Sequence, residues 1–424
     1  MNEPSTQNAL RPFLTLTALR WMPLGLLAPV LVLLPLSRGM TVSEVGLALS
    51  LQGFIVLGIE VPTGGLADSV GRRKVLLASA VASFAAVAVF AAAHTFVALA
   101  CAGALLGFYR ALDSGPLEAW YIDECYARDP HARIDIGIGW QNTVMGISMG
   151  LGGLATAALI TWKPVPAVEP LMVPVLAAMA VQVVGACALW TLMVEHRPTG
   201  DEASGIRRFW SDARATPHSI AMGLRLLKAS PVLIALVGVE VFWGFGAATY
   251  ESLFPVRLAE VTSTPESAAA MTGTAVAVGW LASSAGAVAT ARLSQRLGTV
   301  QVALLMRLLQ GAMVAGMGLF AGVVGVLTAY VACYLVHGTS NAAHMTLLHR
   351  NATGEVRTTM ISLNSMMSQG AGAIGLIVLT SIAEQASVTV AMCIGGLVLA
   401  AAAPLYLVAK GHEAVRGRSV RVRQ

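Results

Sequence analysis

The sequence predicts an all-α membrane protein with twelve transmembrane helices in two pseudo-symmetric six-helix bundles. Three observations carry this. Of 424 residues, 56% are hydrophobic and only 12% charged, where a soluble domain carries about a quarter charged residues. Apolar runs of roughly 20 residues, the length that crosses a bilayer, recur along the whole chain. The second half also repeats the first: Leu66-Ala-Asp-Ser-Val-Gly71 returns as Leu293-Ser-Gln-Arg-Leu-Gly298, an offset of 227 residues.

The runs place spans near 12–36, 43–64, 75–94, 96–120, 136–161 and 171–194, then 231–255, 266–291, 299–320, 323–348, 357–382 and 386–409. The first run is too long for the apolar stretch of a signal peptide and has no A-x-A site, so it is expected to span. The domains expected are an N-terminal bundle (1–194), a basic linker (195–230) and a C-terminal bundle with a basic tail (231–424). Within the linker, Ile206–Trp210 and Leu224–Lys228 are basic and amphipathic, and they read as helices lying on the inner membrane surface. The 42 glycines suit close helix packing in lipid. Five scattered cysteines, without a CxxC, read as small core residues rather than disulfides or metal ligands.

Charge sets the expected orientation. With both termini inside, 21 of the 27 lysines and arginines fall on inner segments, and only Arg38, Lys163 and Arg257 fall outside. That bias follows the positive-inside rule and accounts for the net charge of +5 without nucleic acid. The chain is expected in a bacterial inner membrane, acting as a monomer among lipids.

The segment after the second span reads Gly64-Gly-Leu-Ala-Asp-Ser-Val-Gly-Arg-Arg-Lys74. Gly64 and Gly71 permit a tight turn. Asp68 suits the positive end of a helix, and Arg72 or Arg73 can pair with Glu118, Asp123 or Glu124. This segment resembles motif A of the major facilitator superfamily, with Ser69 at a place where that family usually has arginine. In the fourth span, Arg110 matches the intramembrane arginine of motif B, with Asp113 and Ser114 replacing Gln and Gly. In the fifth, Gly146–Gly153 is a degraded relative of the glycine-rich motif C and lacks its proline. The chain is most similar to the drug:proton antiporter branch.

The resemblance implies a cytoplasmic gate (Gly64, Asp68, Gly71, Arg72, Arg73) that holds one state of an alternating-access cycle. It also implies proton coupling around Arg110, and a substrate cavity lined by Trp21, Tyr109, Trp243 and Tyr250. Projection by the same offset sets His337 opposite Arg110 and Asn341 opposite Ser114, which adds both to the cavity candidates.

The residues themselves point the same way. Arg20, Glu60, Arg110, Asp113, Glu240 and Arg307 lie within apolar runs, and Glu251 near the outer end of one. Each charge would cost ~3 kcal/mol unpaired at the centre of a bilayer, so partners are required. Asp113, helped by Glu60, is the expected proton-coupling group, with Arg20 and Arg110 as charge partners. Glu240 is the rival, a carboxylate that could also meet a cationic cargo. Arg307 is expected to snorkel to the inner surface.

No P-loop, H-E-x-x-H or EF-hand loop is present, so no cofactor or metal is expected and the energy source is expected to be a proton gradient. Gly146-x-Ser148-x-Gly150 has the spacing of a nucleophile elbow but lies inside an apolar helix, and no other catalytic set appears. The expected activity is proton-coupled export of amphipathic or lipophilic small molecules. Alternatives are metabolite:proton symport, lipid transport, or a sensor or assembly factor that transports nothing.

Overall fold

The structure is a computed structural model. It describes residues 4–195, 227, 230–352 and 356–410, and leaves the side chains of 4–8, 60–65, 68–69 and 356–359 outside that description. The segments expected to form linker helices, Leu227 apart, and the basic tail beyond Lys410 lie outside it as well.

The first half contains α1 (Pro4–Leu27), α2 (Leu33–Ser37), α3 (Val42–Val70), α4 (Arg72–Ala92), α5 (Phe96–Asp113), α6 (Pro116–Arg128), α7 (Ile134–Trp162) and α8 (Val173–Leu192). The second contains α9 (Pro231–Ala248), a π-helical turn (Thr249–Leu253), α10 (Phe254–Val261), α11 (Pro265–Leu297), α12 (Thr299–Leu319), α13 (Val323–Asn351), α14 (Val356–Gln385), α15 (Val388–Ala401) and a 3-10 turn (Ala403–Leu405). Among the described residues, eleven helices are long and apolar enough to cross a membrane. Helices α1 and α2 correspond to the remaining expected run.

Several boundaries differ from the sequence expectation, each for a local reason. The first run breaks after Leu27 because Pro29 cannot continue the helical hydrogen bonding. The fourth breaks at Ser114: Ser114 is extended, Gly115 takes φ +91°, and Pro116 starts the next helix. The motif segment 64–74 is not a loop. Helix α3 runs through it to Val70, and Gly71 alone (φ 119°) makes the joint to α4.

The same joint recurs at Gly298 (φ 86°) before α12. Helix α12 begins and ends 227 residues after α4, and α13 begins 227 residues after α5. The repeat therefore holds its register across both helix pairs, with no insertion.

Two of the three basic residues expected on the outside have matching structural roles. Arg38 donates to the carbonyls of Ala93 (2.7 Å) and Phe90 (3.5 Å) at the end of α4. Arg257 donates to Phe320 (3.0 Å) and Met317 (3.3 Å) at the end of α12. These carbonyls are equivalent under the 227-residue offset. A cation at a helix C-terminus satisfies carbonyls that have no partner within the helix.

The chain forms two compact units. One comprises 1–40, 51–216 and 264–277, the other 41–50, 217–263 and 278–424. Sequence reasoning expected contiguous halves. The exchanged pieces are the first turns of α3 and of α11, helices of 29 and 33 residues. In the first unit the glycines of α7 serve packing: a β-carbon on Gly152 would strike the α1 backbone at Met22, and one on Gly25 would strike Met149. Ser148 is buried within that helix, which leaves no room for nucleophile chemistry.

Candidate functional site

In the first unit, helices α1, α4, α5 and α8 surround a cavity of about 630 Å³, counting its open mouth. Most of its wall is aliphatic. The polar groups are Arg20, Ser79, Ser83, Tyr109, Asp113 and Gln182.

The centre of this polar set is an ion pair between Arg20 and Asp113. Asp113 is the last residue of α5, because the Ser114–Pro116 break falls directly after it. A carboxylate at a helix C-terminus sits beside carbonyls of its own sign. Arg20 relieves both: its guanidinium pairs with the carboxylate and also donates to the Asp113 carbonyl (3.0 Å). Ser79 donates to the other carboxylate oxygen (3.2 Å). Arg20 is one of the two partners expected; the other, Arg110, lies one turn earlier on α5. An arginine on the N-terminal side of its acid is the weaker order along a helix, and Arg20 reaches across from α1 instead. Gln182 donates to Ser83 (2.8 Å), while its carbonyl oxygen and Arg20 Nε are buried without a partner among the described residues. Tyr109 is buried on the cavity wall; Trp21 is half-buried and is not part of it. The side chain of Glu60 lies outside the described residues.

Arg72 and Arg73, two of the residues expected to form a gate, make local contacts in the same unit. Arg72 pairs with Asp123 on α6, one of the three carboxylates expected. Arg73 donates to the Trp190 carbonyl and lies 4.5 Å over the Trp190 ring. The backbone amides of Arg72 and Arg73, the first of α4, donate to the two oxygens of Glu195 (3.1 and 3.3 Å). Glu195 therefore supplies the helix-end carboxylate that sequence reasoning sought in Asp68, whose side chain lies outside the described residues. Trp190 and Glu195 belong to no motif, and only folding brings them here. Because Asp123 is largely exposed, the Arg72 pair is worth about 1 kcal/mol at most. Arg72→Ala is expected to shift the conformational equilibrium by roughly five-fold and slow turnover, with cargo affinity little changed. Spin-label distances between the inner ends of the two halves read this; unchanged distances and turnover would leave the segment a topological role alone.

The second unit gathers a different set. Trp243 on α9 stacks on His337 of α13 (centroids 5.5 Å apart, planes at 12°). Tyr250, in the π-helical turn, lies 6.2 Å from His337 and 5.7 Å edge-on from Tyr334. Such a turn carries one residue more than α-helix would, and π turns are frequent at functional sites. Trp243 Nε1 and the Tyr250 hydroxyl are buried without a hydrogen-bond partner among the described residues. His337 Nδ1 is 3.4 Å from Gln310, which accepts from Arg307 (2.7 Å). Asn341 is exposed one turn beyond His337.

Arg307 corrects the sequence reading. It does not snorkel; at 1% exposure it is among the largest fully buried side chains. It lies on the inward stripe of α12 with Val300, Ala303, Gln310 and Val314, so its helical phase turns it away from lipid. Glu240 is also buried, 3.4 Å from His344 Nε2. His344 Nδ1 is 3.1 Å from the Tyr406 hydroxyl. Gln310, Tyr334 and Tyr406 were not foreseen. The i, i+3 pairing of Arg307 with Gln310 on one face of an apolar helix was the available signal.

The profile of the Major Facilitator Superfamily matches residues 13–376. No curated protein matches the chain. Among solved structures, a bacterial homologue of the human lysosomal transporter Spinster, in an inward-facing and occupied conformation, is similar with TM-score 0.75 at 14% identity, covering 97% of this chain and 98% of its own. The nucleoside transporter NupG gives 0.73 at 12%, covering 95% and 99%. A bacterial homologue of the human drug peptide transporters gives 0.70 at 10%, covering 98% and 99%.

Proposed function

Because the chain belongs to the Major Facilitator Superfamily, and so is a transporter of small molecules rather than an enzyme, we propose that it exports amphipathic or lipophilic solutes in exchange for protons by alternating access. The observation that carries this reading is the Arg20–Asp113 pair at the polar part of a mostly apolar cavity. An apolar wall with a few placed polar groups suits an amphipathic ligand, and an intramembrane carboxylate is a group that can load and release a proton. Asp113 is the coupling residue in this reading, with Glu60 as its assistant. The protein works as a monomer in a bacterial inner membrane with both termini in the cytoplasm. Single cysteines at Lys163 and Arg418 are expected to be labelled from opposite sides; labelling from the same side would overturn the topology.

A second reading has its own observation. The stacked Trp243–His337 pair, beside Tyr250 and Tyr334, would suit a planar ring, and a nucleoside transporter is among the similar structures. That favours symport of a heteroaromatic metabolite.

One experiment separates the two. Purified protein in liposomes with an imposed pH gradient is offered cationic and neutral amphiphiles and, separately, nucleosides. Gradient-driven movement of amphiphiles against the proton flow supports export. Nucleoside movement with the protons selects the second reading, and failure to move any solute under either gradient overturns both.

A further inference from the structure

The second unit holds a buried titratable cluster that the proposed cycle does not use. Glu240 (α9), Arg307 (α12), His344 (α13) and Tyr406 (after α15) come from four separate elements, and each is nine-tenths or more buried. Among the described residues, Glu240 is the only buried carboxylate of this unit. Arg307 is hydrogen-bonded to neutral Gln310 and lies close enough for its charge to act on both Glu240 and Tyr406. A buried guanidinium requires a counter-charge; Glu240 makes no direct ion pair with it but is the buried carboxylate of the unit that can balance it across the cluster. The other groups facing Glu240 are neutral or shared. On α13, His344 is 3.4 Å away. On α14, Asn364 neighbours His344. Among the described residues, α15 brings no charged side chain to this face.

We propose that Glu240 and His344 together form a second proton-binding site, separate from Asp113 and linked to the aromatic cluster through Arg307 and Gln310. The chemistry follows from the contacts. When the Tyr406 hydroxyl donates to Nδ1, the neutral His344 ring carries its hydrogen on Nε2, 3.4 Å from Glu240 Oε1 but without hydrogen-bond geometry to it. Arg307 and the Glu240 carboxylate then sum to zero charge. An arriving proton forms an O–H bond on the carboxylate, and the cluster becomes +1. Arg307 then lacks its counter-charge, and its bond to Gln310 is the path by which His337 and its stacked Trp243 register the change. The site thus binds a proton in a water-poor interior, next to the residues that would hold a planar cargo. It rests on the transport reading only for its consequence in the cycle, since proton binding itself is measurable without transport.

The test is infrared difference spectroscopy against pH on the purified full chain in liposomes, with no cargo present. Glu240→Gln is expected to remove one carboxylic-acid band, and Asp113→Asn is expected to leave that band in place. Tyr406→Phe deletes a single hydroxyl and retains the ring, so it guards against a Glu240 variant that fails to fold. It is expected to move the midpoint of the same band by roughly one pH unit, the worth of one hydrogen bond. A spectrum unchanged in Glu240→Gln, or a midpoint unmoved in Tyr406→Phe, overturns the proposal. Accumulation that survives in Asp113→Asn with the Glu240 band intact overturns only the export reading, so the two failures are distinguishable.

Discussion

Asp113→Asn is expected to abolish proton-driven accumulation, to the level seen with the gradient collapsed, while cargo binding and downhill exchange persist. Asparagine keeps the size of the side chain and an acceptor for the Ser79 hydroxyl, but it cannot titrate. Losing one partner of a fully buried ion pair costs about 3–5 kcal/mol. Here Arg20 and Asp113 keep 22% and 19% of their side-chain surface exposed, and Arg20 retains its bond to the Asp113 carbonyl. A folded protein with a lowered melting temperature is therefore the expected material. Flux assays with and without a pH gradient, beside a binding isotherm, decide the matter. Accumulation that survives in Asp113→Asn, with Glu60 intact or replaced by Gln, would show that coupling resides elsewhere.

The second large effect concerns stability. Arg307→Gln is expected to destabilise the second unit by about 1–3 kcal/mol, because it leaves Gln310 without its charged donor and Glu240 without the positive charge nearby. Glu240→Gln alone strands the arginine in the same way. The double variant is expected to be more stable than the sum of the single losses predicts, by about 1–3 kcal/mol, since neither charge then lacks its opposite. A thiol-reactive dye reports unfolding directly, because Cys125 and Cys333 are buried and become reactive only when the helices part. Strictly additive losses would show that the two residues do not compensate one another.

Much of the architecture was legible in the sequence because lipid imposes simple rules. Span length and the repeated Gly71 and Gly298 segments needed no tertiary knowledge. The partners within the membrane were harder to read. Asp113 was expected to share Arg20 and Arg110, the latter one turn away in a fourth span read as continuous. The Ser114–Pro116 break makes Asp113 a helix terminus, and a terminus draws its cation from another helix. Arg307 was misplaced for a related reason. A helix apolar on every side shows no obvious inward face, and only the phase of Gln310, one turn on, marks the direction. Glu195 was invisible as a helix cap because it reads as the first residue of the linker.

The shared register of α4–α5 and α12–α13 has one further consequence. Counted from the two joint glycines, Ser83 and Gln310 hold the same slot, as do Arg110 and His337, and as do Asp113 and Ser340. The ancestral frame thus fixed where polar groups sit and left their chemistry free to diverge. One copy filled the last of these slots with a charge. The other holds a buried hydroxyl there, beside Tyr406, and draws its carboxylate, Glu240, from a helix outside the duplicated pair.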